Sequence, residues 1–229
     1  MGSLSHFLQS MDWMNLSITL LSAVAALFCI TFHELSHGFV AYRLGDPTAK
    51  NMGRLTFNPL KHIDPIGLLM MITVRVGWAK PVPVDMRNFK KPKRDMAITA
   101  LAGPVSNFFL SWVALLIASA LFHLLTMDAS WMVYVVLFFL QIAVLSVGLG
   151  VFNLIPISPL DGSKILFSFL PDRVYGTILH YERYGMVLMV ILAWSGIMNG
   201  PLTFVMGGVM RFLCTISGFP FGVVQNFFF

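Results

Sequence analysis

The sequence predicts an α-helical polytopic membrane protein with at least four transmembrane segments and a small membrane-surface β-hairpin between spans one and two. Three observations carry this prediction. Of 229 residues, 57% are hydrophobic and only 11% are charged, far less charge than a soluble surface of this size carries. Apolar runs long enough for the ~30 Å hydrocarbon core of a bilayer recur along the chain. Eleven of the fifteen Lys and Arg residues fall within 43–94, between two such runs, and a basic loop bordering spans marks the cytoplasmic side. This distribution makes the lipid bilayer, and not nucleic acid, the partner of a net charge of +5. No linker, repeat or low-complexity tract divides the chain, so one membrane domain over residues 1–229 is expected.

Span one covers about residues 13–42. The twelve residues before it hold no Lys or Arg; they lack the basic n-region of a cleavable signal peptide, and the span is expected to be retained. In the loop 43–95, "GRLTFNP" and "MITVRVGWAKPVPV" are β-prone and punctuated by Gly and Pro. They predict strands at 50–58 and 72–84. The intervening "NPLKHIDPIGLL" is apolar enough to dip into the interface. Span two covers about 96–125, a short turn without basic residues follows, and span three covers about 131–154. A fourth apolar region begins at Tyr184 and is interrupted by "NGP" at 199–201. Its second half, which carries Arg211, is left open as a further span, a re-entrant piece or an interfacial helix. The charges predict an N-terminus outside and a segment after span three that returns to the cytoplasm.

Inside span one lies "HELSH", residues 33–37, and Glu34 is the one acid between 13 and 42. A charged group in hydrocarbon costs at least ~2.5–3.5 kcal/mol, so it implies a partner and a function. His33 and His37 are four apart and share one helix face. Two imidazoles on successive turns can reach one zinc ion, and the neighbouring carboxylate of Glu34 can act as general base on a water. A catalytic zinc needs a third ligand. The candidate is Asp161 in "FNLIPISPLDGSKI", where Pro156 and Pro159 must break the helix. It precedes Lys164 by three residues, and His37 precedes Arg43 by six, roughly 9 Å of helix. Both sites thus lie at similar depth on the cytoplasmic side. Cys29, one turn before His33, is a conceivable soft ligand but is better read as a small packed residue. His62, His123 and His180 flank spans and are expected to be structural or interfacial. Ionisable residues near broken helices also suit a membrane transporter or metal permease. Transport needs a polar path across the membrane, whereas these groups gather toward one side.

The sequence resembles the site-2 protease family of intramembrane zinc metalloproteases. The resemblance covers about residues 14–185 and rests on "HELSH", "GRLTFNPLKHIDPIG", "GWAKPVPV", "LAGPVSN" and "FNLIPISPLDG". It is greatest to the small prokaryotic branch without a PDZ or CBS domain. It implies one zinc per chain held by His33, His37 and Asp161, with Glu34 as the base. It also implies an integral protein of a prokaryotic plasma membrane that cuts a transmembrane protein substrate, with the active site near the cytoplasmic side by the charge reading above. Asn107 and Asn153, polar residues on spans two and three, are candidates to assist catalysis. The segment holding Gly77, Trp78 and Pro81 is expected to bind the unwound substrate.

Overall fold

A computed structural model describes residues 13–74, 78–124, 130–171, 185 and 187–228. Helix α1 spans Trp13–Arg43, α2 is the single turn Thr48–Asn51, and α3 spans Pro65–Val74. The two longest later helices are α4, Pro92–Leu124, and α5, Ser130–Asn153. A short α6, Asp161–Phe167, follows the proline-rich turn, and α7, Asn199–Ser217, and α8, Phe221–Phe228, close the chain.

Four of these helices are long and apolar enough to cross a membrane: Asn15–Arg43, Pro92–His123, Trp131–Asn153 and Asn199–Ser217. The fourth begins at the "NGP" that the sequence reading took for an interruption. Pro201 falls in the first turn of α7, where a missing N–H leaves no helical bond unmade. Before it, the described residues 187–195 are helical and that helix stops at Gly196.

Helices α1, α4 and α5 form the core around which α6 and α7 pack. Lipid tails are as apolar as Leu, so close packing rather than water exclusion joins such helices. The contacts are accordingly rich in small residues: Ala25, Cys29, Ala114, Ala118, Ala143 and Ser146 are all buried. Leu20, Val24, Val105 and Phe109 are more than half exposed and form the lipid-facing side.

The expected β-hairpin finds no support; residues 75–77 of its second strand lie outside the described residues. Among the described residues there is no strand, and one isolated antiparallel bridge joins Ile63 to Ala79. The reasons are local. Thr48–Asn51 turns as a helix where the first strand was expected to begin. Asp64 Oδ1 accepts the N–H groups of Ile66 and Gly67, both at 2.9 Å. That N-cap, followed by Pro65, starts a helix which runs to Val74. Beyond it, Pro81 and Pro83 lack the donors that a ladder requires.

The loop is instead fastened by side chains. The Asp46 carboxylate is fully buried and accepts from the Thr48 N–H and hydroxyl, Asn88 Nδ2 and the Asp85 N–H. Burial raises its pKa, but these hydrogen bonds outweigh burial and hold the carboxyl below its ordinary range. The C-terminal end of α1 is thereby tied to the segment that leads into α4.

Candidate metal centre

His33 and His37 project from one face of α1, and Asp161 comes from the first turn of α6. The turn between α5 and α6 carries Pro156 and Pro159, and it reverses the chain so that Asp161 meets the histidines. His33 Nε2 lies 3.2 Å and His37 Nε2 3.0 Å from Asp161 Oδ2, and the two Nε2 atoms are 3.0 Å apart. All three side chains are buried, and they form the one cluster among the described residues able to hold a metal.

The arrangement fits zinc. Four donors at ~2.0–2.1 Å in a tetrahedron lie about 3.3 Å from one another, close to the separations found here. The other ring nitrogens are engaged as ligation requires. His37 Nδ1–H donates to the Thr99 carbonyl at 2.7 Å, which leaves Nε2 free for the centre. His33 Nδ1 faces the Asn107 amide at 3.1 Å, and Asn107 Oδ1 is a buried atom without a partner. Once His33 turns Nε2 to a metal, its proton sits on Nδ1. The amide then meets it with oxygen, since the two ends of an amide are assigned by their partners. For Asp161, burial raises the pKa, but the hydrogen bonds from His33 and His37 and the charge of Lys164 outweigh it. The carboxyl is held well below its ordinary range and is available as an anionic ligand. Its Oδ1 faces Lys164 Nζ at 3.8 Å.

Glu34 is half-buried, and its Oε2 accepts the Val82 N–H at 2.8 Å. The extended segment holding Trp78 and Pro81 therefore passes beside the centre; Trp78 is half-buried and Pro81 exposed. Gly77 lies outside the described residues. Asn153 is less directly engaged: its Nδ2 donates to the Leu149 carbonyl at 2.9 Å on its own helix. Cys29 is buried away from the cluster, where its Sγ accepts from Ser146 Oγ at 3.2 Å. His62 is structural, its Nε2–H donating to the Thr56 carbonyl at 3.0 Å.

Gly103 on α4 is a site residue that the sequence reading passed over. A Cβ there would lie 2.4 Å from His37 Nε2 and 2.5 Å from His33 Cε1. Only a residue without a side chain lets α4 back onto both rings. Gly103→Ala is therefore expected to abolish most zinc binding while leaving the metal-free fold intact. The atoms met are the far ends of side chains, which can turn at the loss of their hydrogen bonds, and Ala is the better helix former by ~1 kcal/mol. Zinc content and thermal unfolding with and without zinc test this; a normal zinc-dependent rise in Tm in the variant contradicts it.

The protein named "Putative zinc metalloprotease YwhC" of Bacillus subtilis is 38% identical over 171 residues, covering 74% of this chain and 78% of its own. The chain belongs to peptidase family M50. The family model itself matches residues 118–196, a stretch that holds Asn153 and Asp161. Two mycobacterial proteins called Rip2, with the same description, are also similar to this M50 chain. That of Mycolicibacterium smegmatis is 31% identical over 177 residues, 76% of this chain and 66% of its own. That of Mycobacterium tuberculosis strain H37Rv is 28% identical over 196 residues, 84% and 72% respectively. No solved structure is matched. An M50 peptidase with four membrane-length helices and a buried His–His–Asp cluster is an integral membrane metalloprotease, and nothing in these findings supports the transporter reading.

Proposed function

We propose that this M50 enzyme cuts a peptide bond within or near a transmembrane helix of a membrane protein, using His33, His37 and Asp161 as zinc ligands and Glu34 as general base. The enzyme is a zinc metalloprotease. The observation that carries the residue assignment is the convergence of three buried donor atoms, each within 3.2 Å of the other two, beside a carboxylate.

Bound zinc supplies a Lewis acid that polarises the scissile carbonyl and acidifies water. Glu34 does the proton work. With Oε2 held by Val82, Oε1 is the atom that takes the water's proton and later returns it to the leaving amine. Asn107 orients His33 through Nδ1, as Thr99 orients His37. Asn107 and Asn153 are the side-chain amides proposed to donate to the developing oxyanion. A helical peptide bond is hidden by its own hydrogen bonds, so the substrate must unwind locally. Gly77, Trp78 and Pro81 are proposed to receive the extended stretch. Co-expression with a panel of single-span proteins tests the activity, with Glu34→Gln as the inactive comparator; no cleavage of any member contradicts it.

The membrane is proposed to hold the N-terminus outside and the centre toward the cytoplasm, as the basic loop 43–94 implies. Single cysteines introduced into a Cys-less background are expected to label from outside at Ser5 and Asp128. Those at Lys91 and Lys164 are expected to label only from the cytoplasm. External labelling at Lys91 inverts the topology.

A further inference from the structure

The strap at residues 80–82 lies directly on the face of α1 that carries Glu34. Gly38 is one turn further along that face. A Cβ on Gly38 would sit 2.7 Å from Leu55 Cδ2 and 2.9 Å from Val82 Cγ1, so both residues press against the helix there. The local sequence is Lys80-Pro81-Val82-Pro83. Proline has no N–H, and Val82 therefore holds the one backbone donor of residues 81–83. That donor is given to Glu34 Oε2.

Behind the strap stands Arg54, a cation only 7% exposed. Among the described residues no carboxylate pairs with it. A buried guanidinium is unfavourable unless its hydrogens are satisfied. Nη2 of Arg54 donates to the carbonyls of Lys80 at 2.8 Å and Pro81 at 3.2 Å, while its Nε finds no partner among the described residues. The Pro81 carbonyl and the Val82 N–H are the two ends of one planar peptide group. Arg54 thus grips the oxygen of the same plane whose hydrogen meets Glu34. The positive charge on that oxygen polarises the amide and strengthens its donation. Pro83 biases the residue before it, Val82, away from the helical region, which narrows the conformations open to that peptide plane.

We propose that Arg54 is a positioning residue for peptide hydrolysis, fixing Glu34 Oε2 through the Pro81–Val82 peptide so that Oε1 faces the water. The proposal rests on the reading of Glu34 as the base. Three variants of the purified full-length enzyme test it, in an assay that separates kcat from KM and measures zinc alongside. Val82→Pro deletes the donor hydrogen, together with the buried Val82 side chain that packs near Gly38. Arg54→Met keeps the length of the side chain without its donors, and Arg54→Lys restores one charged donor.

Val82→Pro and Arg54→Met are expected to lower kcat by ~10–100-fold, with KM within about twofold and zinc content unchanged. Arg54→Lys is expected to recover part of the loss. An unchanged kcat overturns the proposal, as does a loss confined to KM or one that tracks zinc. A loss confined to KM would leave the strap with its substrate role alone, and one that tracks zinc would make it a metal element. Should Arg54→Met fail to fold, Arg54→Lys tests the residue and Val82→Pro tests the peptide through which it acts; full kcat in either overturns the proposal. Glu34→Gln in the same assay separates the two readings. An active Glu34→Gln removes the base assignment itself, whereas an inactive one beside a fully active Val82→Pro removes only the role of Arg54.

Discussion

Glu34→Gln is expected to retain about one zinc per chain and to lose at least the ~10²–10⁴ in cleavage rate that a general base contributes. Glutamine matches glutamate in size and can still accept the Val82 N–H through its carbonyl oxygen. It cannot take a proton from water at neutral pH. The fold is expected to survive, since a neutral amide near hydrocarbon is less unfavourable than a carboxylate. Glu34 is also absent from the three-atom cluster, so its replacement removes no donor. Substrate binding persists, and a trapped complex with a single-span protein is the expected by-product. Zinc stoichiometry and proteolysis, measured on one detergent preparation, decide the outcome. Full zinc with near-normal cleavage refutes the mechanism, and joint loss of zinc and activity makes Glu34 a ligand or a structural residue.

Asp161→Ala is expected to bring zinc well below one per chain and activity to background. With two imidazoles alone the centre keeps two of the three protein ligands that a catalytic zinc normally has. The loss also strips the histidines of their shared anionic neighbour, 3.0 and 3.2 Å from the two rings. His33→Ala and His37→Ala are expected to behave alike. Asp161→Ala with full zinc occupancy would strike this residue from the ligand set. Reduced occupancy that excess zinc restores together with activity would mark it as a ligand that contributes affinity alone.

The parts of the site legible in the sequence were those with a local or depth-dependent signature. His33, Glu34 and His37 declare themselves because ionisable residues at helical spacing have no other business in an apolar run. Asp161 was reachable because Lys164 and Arg43 mark the same membrane boundary, so depth alone brought distant residues together. The hairpin failed for an equally local reason. Val and Thr around Pro and Gly read as strands, but Asp64-Pro65 is a helix start and Pro81-Val82-Pro83 cannot build a ladder. Gly103 was illegible because a glycine in a helix acquires meaning only from what stands opposite it. Arg54 looked like one more charge in a basic loop, and its burial and carbonyl partners exist only in three dimensions. The family resemblance supplied the roles proposed for Asn107 and the substrate segment, which spacing alone did not.

The donors of the centre are far apart in the chain: His33 and Asp161 are separated by 128 residues. At ~5–20 residues per second, a ribosome needs roughly 6–26 s to make Asp161 after His33 has emerged. During that interval the nascent chain carries two imidazoles and a base without the third ligand. With the ligand set proposed here, the protease is born silent. It gains the power to cut only after its third membrane helix and Asp161 have both been made.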